Sequence, residues 1–213
     1  MIKSLFFDFW GTIVGNGVFP SPTKQARYIL GLEIPFQEYV QKFEEAIMLK
    51  KFDNLTQAFT EVMSAFELKP DQEKMDQLVG MWNKNKFFAK PFPDTKNVLE
   101  LLKQHYKLYL VSNTDCFSVK EVAEKYELTQ YFESMFLSYE VGKLKGDPTF
   151  YPEILKQLKL KPEEVIVIGD SLQSDMEPAE KAGMRSILVD RRMRREYKEK
   201  IRLLDELPGL LGV

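Results

Sequence analysis

The chain of 213 residues has 44% hydrophobic and 29% charged residues, which is typical of a globular protein and unlike disordered or collagen-like chains. Its 30 basic and 32 acidic residues leave a formal charge of -2, so composition predicts neither nucleic-acid nor membrane binding. The single cysteine, Cys116, excludes an internal disulfide framework and a thiolate metal cluster. The amino-terminal apolar run is too short to span a bilayer and lacks a signal-peptide pattern, so we expect a cytoplasmic protein.

Short apolar runs that end in turn residues predict the strands of a sheet. These runs lie at residues 4–9, 107–111 (KLYLV), 165–168 (VIVI) and 184–189. Helical periodicity alternates with them after residue 93: one helix follows Asp94, and another opens at a capping box of Ser174 and Glu177. This alternation predicts an α/β fold with a Rossmann-like, doubly wound parallel sheet, in which polar residues past the strand ends meet at one edge.

The stretch between residues 21 and 88 shows helical periodicity and no strand signal. It carries three apolar faces, formed by Phe36, Val40, Phe43 and Ile47, then Leu55, Phe59, Val62, Met63 and Phe66, then Met75, Leu78, Val79 and Trp82. Proline pairs at residues 20–22 and 91–93 look like hinges. We therefore predict an all-helical cap subdomain at residues 17–90, inserted into a core domain of residues 1–16 and 91–213.

Polar residues directly after the first two strands provide a nucleophile and a cradle for an anion. Asp8 stands at a strand tip, where a carboxylate can attack an electrophile whose anionic oxygens are held by the backbone amides of Gly11 and Thr12. Ser112 and Asn113 follow the second strand and are suited to hydrogen-bonding an anion. These residues predict an anion-binding site around Asp8.

Three charged residues further along the chain extend this site. Lys145 precedes a helix started by proline and can neutralise both the nucleophile and the charge that develops in a transition state. Asp170 and Asp175 follow the strand at residues 165–168, and two acids there would repel a phosphate unless a hard cation lay between them. The acids therefore imply Mg²⁺.

The order and spacing of these elements resemble the haloacid dehalogenase superfamily of hydrolases over nearly the whole chain. FDFWGT at residues 7–12 is similar to the first motif of that family, VSNT at 111–114 to the second, the lysine of KGDP at 145–148 to the third, and GDSLQSD at 169–175 to the fourth. The helical stretch between the first two motifs resembles the cap of the family. The resemblance implies a Mg²⁺-dependent hydrolase that acts on a small phosphorylated metabolite.

The resemblance also implies roles for individual residues. Asp8 would be the nucleophile and carry an aspartyl-phosphate, which water then cleaves, while Ser112 and Lys145 would stabilise the transferred group. The residues expected to hold Mg²⁺ are Asp8, Asp170, the backbone carbonyl of Trp10 and, through the water shell of the metal, Asp175.

One position departs from the pattern of the family's phosphatases. They usually carry a second aspartate two residues after the nucleophile, which serves as general acid and base, and here that position is Trp10. An indole has no titratable proton in the useful range. Since general acid-base catalysis is typically worth about 10²- to 10⁴-fold, we expect slow turnover or an acid supplied from elsewhere, for which Asp115 is one candidate.

Trp10 also opens two alternatives. Two-haloacid dehalogenases of the same superfamily put an aromatic residue at this position, attack carbon without a metal and use a cap arginine, for which Arg27 is the nearest match. They lack the acid pair of the fourth motif, which favours magnesium and phosphate here. A binding or regulatory protein that has lost catalysis is the third hypothesis. The charged run at residues 191–202 predicts a solvated face. Three questions stay open: the identity of the substrate, the cap residues that face the site, and the oligomeric state.

Overall fold

Six parallel strands form the central sheet of the computed structural model, which describes residues 1–213. The strands of the protein are β1 (Ser4–Phe7), β2 (Val14–Gly15), β3 (Lys90–Pro91), β4 (Lys107–Ser112), β5 (Ser134–Leu137), β6 (Val165–Gly169), β7 (Arg185–Val189) and β8 (Lys200–Ile201). The sheet has the order β5-β4-β1-β6-β7-β8, while β2 and β3 form a separate antiparallel pair. The predicted doubly wound parallel sheet is thus confirmed.

Ten α-helices accompany these strands. They are α1 (Pro22–Leu30), α2 (Phe36–Ile47), α3 (Leu55–Ala65), α4 (Gln72–Phe88), α5 (Thr95–Leu102), α6 (Val119–Lys125), α7 (Ser138–Val141), α8 (Phe150–Leu158), α9 (Glu177–Lys181) and α10 (Leu207–Leu211). None of them combines the length and the apolar character needed to cross a lipid bilayer.

The central sheet is covered on both faces because most residues of its strands are apolar and pack into buried clusters on the two sides. In β1, Leu5 and Phe7 belong to one buried cluster and Phe6 to another, as the alternation of side chains along a strand requires. The chain crosses from β1 to β4 on one side and later returns to β6 on the other, so the order of the sheet reverses at β1. Ligands of such folds bind at the carboxyl end of this reversal point, which is where Asp8 lies.

The helices α1–α4, here called the cap, bury their apolar faces against one another in a cluster separate from those of the sheet. The face predicted for α2 holds at Phe43 and Ile47, which are in the core, but Tyr39 joins them there instead of Phe36, which is 40% exposed, and Val40, which is half-buried. Tyr39 tolerates burial because its hydroxyl donates to the Thr23 carbonyl at 2.8 Å. The division of the chain at residues 17 and 90 stays a prediction, and β2 and β3 lie beside these two points.

The helical segment after β6 begins earlier than its sequence pattern indicates. A π-helical turn spans Leu172–Met176, and its cap is Ser171, whose hydroxyl accepts from the Ser174 amide at 3.1 Å. The capping box predicted at Ser174 and Glu177 is therefore wrong. The wider turn begins two residues past the end of β6, after Asp170 and Ser171. It brings Asp175 back against β6, where its carboxylate accepts from the Ser171 amide at 3.0 Å.

Candidate active site

Lys145 and two aspartates form a buried ion cluster at the carboxyl ends of β1 and β6. The Lys145 ammonium donates to Asp8 Oδ1 at 2.7 Å and also to Asp175 Oδ1. The side chain of Lys145 is only 2% exposed, that of Asp8 9% and that of Asp175 1%. Burial alone would lower the pKa of Lys145, but the two carboxylates raise it well above its usual value. Lys145 is therefore a permanent cation against Asp8.

A third acid, Asp170, completes the cluster. Carboxylate oxygens of Asp8, Asp170 and Asp175 lie within 4.8 Å of one another. Burial, followed by the charges of Asp8 and Asp175, raises the pKa of Asp170 to about 8, and burial raises that of Asp8 to about 6 despite Lys145. Three acids against one ammonium leave an excess of negative charge, and hard oxygen donors of this kind fit a divalent cation such as Mg²⁺.

Two glycines permit the close approach of these acids to the backbone. Gly11 has φ of +83°, and a Cβ there would overlap the Asp170 carboxylate. A Cβ on Gly169 would likewise overlap the carboxylate of Asp175. Any larger residue at either position has to displace a charged group of the site.

The first loop surrounds Asp8 with one hydroxyl and one indole. Thr12 is fully buried, and its hydroxyl donates to Asp8 Oδ2 at 3.1 Å. Trp10 is half-buried, packs edge-on against Phe9 at 4.9 Å between ring centroids, and lines the cavity in front of Asp8. No carboxylate therefore occupies the position in which a general acid is usually found.

The residues after β4 differ in how they reach the site. Ser112 is fully buried, does not line the cavity, and its hydroxyl faces the Asn113 carbonyl at 3.4 Å. Asn113 lines the cavity and joins two elements: its Oδ1 accepts from the Lys145 amide at 2.9 Å, and its Nδ2 donates to Glu44 at 2.9 Å. Glu44 belongs to α2, so Asn113 connects the cap to the loop of Lys145.

Asp115, the candidate substitute for the missing acid, is enclosed by hydrogen-bond donors. Its carboxylate accepts from the Trp82 indole at 3.0 Å, from the Phe117 amide at 2.8 Å and from the Ser118 hydroxyl at 2.9 and 2.8 Å. Burial raises its pKa against the opposing effect of these donors. Asp115 lines the cavity, and its carboxylate is held by donors of α4 and the core, which supports a structural role. Its role as a substitute acid stays a prediction.

Two arginines of the run at residues 191–202 face inward, contrary to the predicted solvated face. Arg191 stacks on Phe92 with 3.5 Å between its guanidinium carbon and the ring centroid, and donates to the Thr12 carbonyl at 2.8 Å. Arg195 lines the cavity and donates to the Asp170 carbonyl. Periodicity cannot distinguish them, because the run follows β7 as an irregular loop that curls back over the strand ends.

These groups share a cavity of about 1200 Å³ between the cap and the strand ends. Asp8, Trp10, Asn113, Lys145, Asp170 and Asp175 line it, whereas Gly11, Thr12 and Ser112 lie behind its wall. Glu44 is the cap residue that sequence reasoning missed, since an acid on a helix surface is usually solvated. Arg27, the arginine considered for a dehalogenase, does not line the cavity and donates to the Leu32 and Ile34 carbonyls instead.

The chain is similar in sequence to known hydrolases over nearly its whole length. The family model for haloacid dehalogenase-like hydrolases matches residues 5–189. The glyceraldehyde 3-phosphate phosphatase of Methanothermobacter thermautotrophicus is 26% identical over 223 residues, covering 99% of this chain and 98% of that protein.

Solved structures resemble the whole chain. The magnesium-bound HAD-hydrolase YfnB from Bacillus subtilis superposes with a TM-score of 0.69 at 18% identity, covering 100% of this chain and 99% of its own. The L-2-haloacid dehalogenase from Xanthobacter autotrophicus has a TM-score of 0.68 at 18% identity with the same coverage. Likeness at such identities shows the fold alone, and it does not separate the two chemistries.

Proposed function

This chain belongs to the haloacid dehalogenase-like hydrolases, and on that premise we propose that it is a Mg²⁺-dependent phosphatase of a small phosphorylated metabolite. The observation that carries the proposal is the buried cluster of three carboxylates and one ammonium at the end of β1. A dehalogenase needs no metal and gains nothing from so many acids beside a carboxylate substrate. The relative from Methanothermobacter thermautotrophicus, which is named a phosphatase and covers 99% of this chain, supports the same conclusion.

Asp8 is the proposed nucleophile. One of its carboxylate oxygens forms a bond to phosphorus, the ester bond to the leaving oxygen breaks, and an aspartyl-phosphate results. A water molecule then attacks phosphorus, the bond to Asp8 breaks, and inorganic phosphate leaves. Lys145 and Thr12 hold the carboxylate in one orientation through both steps, because they donate to its two different oxygens.

Asp8, Asp170 and the Trp10 carbonyl are the proposed ligands of Mg²⁺, with Asp175 acting through the water shell. When bound, the cation supplies positive charge that offsets the acids and favours approach of a phosphate dianion. Lys145 contributes a second positive charge, with its ammonium 2.7 Å from Asp8 Oδ1.

Trp10 leaves the protonation of the leaving oxygen without a dedicated acid in the first loop. We therefore expect faster turnover for esters whose leaving group is already a good one, such as p-nitrophenol, than for alkyl esters. Replacement of Trp10 by Asp should speed the hydrolysis of alkyl phosphates if this missing acid limits the rate. An unchanged or lower rate in a folded Trp10→Asp protein counts against that explanation.

The deciding experiment measures phosphate release from p-nitrophenyl phosphate by the wild type with Mg²⁺ and with EDTA. We expect turnover that requires Mg²⁺ and is lost in Asp8→Asn, while Asp205→Asn, an exposed change of the same type outside the cavity, retains it. Metal-independent chloride release from 2-chloropropionate would instead establish a dehalogenase. Inertness in both assays, with no stabilisation by Mg²⁺, would favour a binding or regulatory protein that has lost catalysis.

A further inference from the structure

Glu44 is an acid of the cap that faces the cavity of Asp8 from the opposite wall. It is half-buried on α2, and one of its oxygens, Oε2, accepts from Asn113 Nδ2 at 2.9 Å. The same Asn113 side chain accepts from the Lys145 amide at 2.9 Å. The carboxylate is therefore held at a fixed position relative to the catalytic lysine loop, and its second oxygen has no hydrogen-bond partner within the protein.

No cation neutralises Glu44. It takes part in none of the ion pairs of the protein, and α2 contributes no basic residue to the cavity wall: its polar residues there are Gln37, Glu38, Gln41, Glu44 and Glu45. The polar groups that α2 presents to the cavity are thus carboxylates and amides, beside the apolar Phe36 and Val40.

The cations elsewhere on the cavity wall have other partners. Lys143 donates to Glu153 and, at 2.6 Å, to the Thr149 hydroxyl. Arg195 donates to the Asp170 carbonyl and contacts Asp190 at 3.4 Å. Lys24 is exposed, so water screens its charge. A second anionic group on a substrate would face Glu44 with no free buried cation to offset the repulsion.

We propose that Glu44 is a specificity-determining residue, which selects phosphate monoesters whose leaving group carries hydroxyl or ammonium donors and rejects those that carry a second anion. The inference rests on the proposed phosphatase function. The unpartnered oxygen of Glu44 accepts a hydrogen bond from a hydroxyl or an ammonium group. A substrate carboxylate at the same place meets a like charge in a partly desolvated cleft, and discrimination of this kind by repulsion is a general route to specificity.

Two esters that differ at one carbon test this inference: glycerol 3-phosphate ends in a hydroxymethyl group and 3-phosphoglycerate in a carboxylate. Initial rates are measured with Mg²⁺ well above pH 7, because burial raises the pKa of Glu44 to about 7 and the residue must be ionised. We expect the wild type to favour glycerol 3-phosphate in kcat/KM by at least about tenfold, which corresponds to roughly 1.4 kcal/mol of repulsion.

Glu44→Gln removes the charge and keeps an oxygen that accepts from Asn113. It should lower the preference about tenfold, mainly through a smaller KM for 3-phosphoglycerate. Glu33→Gln changes the net charge equally at an exposed position outside the cavity and should leave the preference unaltered.

The outcomes separate this inference from the function on which it rests. Turnover of p-nitrophenyl phosphate with an unchanged substrate preference in Glu44→Gln overturns the inference and leaves the phosphatase intact. An equal fall of kcat for every ester in Glu44→Gln also overturns it, because such a fall identifies a group in the chemical step. A wild type that hydrolyses none of the three esters overturns both.

Discussion

Glu44→Gln should stabilise the folded protein at alkaline pH and leave its stability unchanged in acid. Burial raises the pKa of the Glu44 carboxyl from 4.5 to about 7, although the bond from Asn113 and the charge of Lys145 lower it. Below pH 4.5 the carboxyl is protonated in the folded and the unfolded chain, so folding changes no charge. As pH rises from there to 7, the folded chain keeps its proton longer, and stability falls.

The size of the effect follows from the pKa difference. A rise from 4.5 to about 7 corresponds to about 3 kcal/mol of destabilisation above pH 7, at about 1.4 kcal/mol for each pH unit. Glu44 is half-buried at a water-filled cleft, and solvent screening reduces the expected value to about 1–3 kcal/mol. The neutral amide of glutamine avoids this cost and keeps the hydrogen bond with Asn113.

Urea unfolding of the wild type, Glu44→Gln and Glu33→Gln in EDTA, at about pH 8 and about pH 5, measures the free energy of unfolding directly. We expect Glu44→Gln to exceed the wild type by about 1–3 kcal/mol at the higher pH and by much less at the lower one. Glu33→Gln should follow the wild type at both. The reasoning is refuted if Glu44→Gln is less stable than the wild type at the higher pH, or if the difference does not depend on pH.

Three further substitutions test other parts of the site. Lys145→Met removes the only cation among the buried acids and should cost about 3–5 kcal/mol of stability in EDTA, less in acid, as measured by urea unfolding. Gly11→Ala places a methyl group against the Asp170 carboxylate at a positive φ and should abolish Mg²⁺-dependent activity and lower the melting temperature, whereas unchanged values would contradict the geometry. Trp82→Phe leaves the buried Asp115 without its indole donor and should lower the free energy of unfolding by about 1–3 kcal/mol. Because the two side chains share one hydrogen bond, the double variant with Asp115→Asn should lose less than the sum of the two single losses.

The sheet and the meeting of the charged residues could be predicted from sequence, because both follow from local rules. Strands made mostly of buried apolar residues favour a parallel sheet, and residues directly past the carboxyl ends share one edge, so Asp8 and Asp170 come together. Lys145 and Asp175 also lie beside these two acids, but the distances between the four side chains cannot be read from sequence. The catalytic and metal-binding roles of these residues stay predictions.

The cap contribution could not be predicted, since it depends on how one helix is rotated against its neighbours. On α2, Tyr39 is buried and Phe36 is exposed, and the packing that decides between them also sets which polar residues face the cavity. Glu44 and the exposed Glu45 are adjacent on α2, and the sequence around them does not indicate which of the two is half-buried. The inward turn of Arg195 depends in the same way on the path of a loop after β7.

The hydrogen bonds that join the cap to the core lie along one side of the cleft. Its hydrogen bonds to the core, apart from the β2–β3 pair, all end on residues 113–125: Glu44 with Asn113, Trp82 with Asp115, Phe52 with Cys116, Lys86 with Glu121 and Phe87 with Lys125. No hydrogen bond or ion pair crosses from α1–α4 to residues 169–195, although both line the cleft. On the β6 side of the cleft, a solute that approaches Asp8 therefore has no hydrogen bond or ion pair between the cap and the core to break.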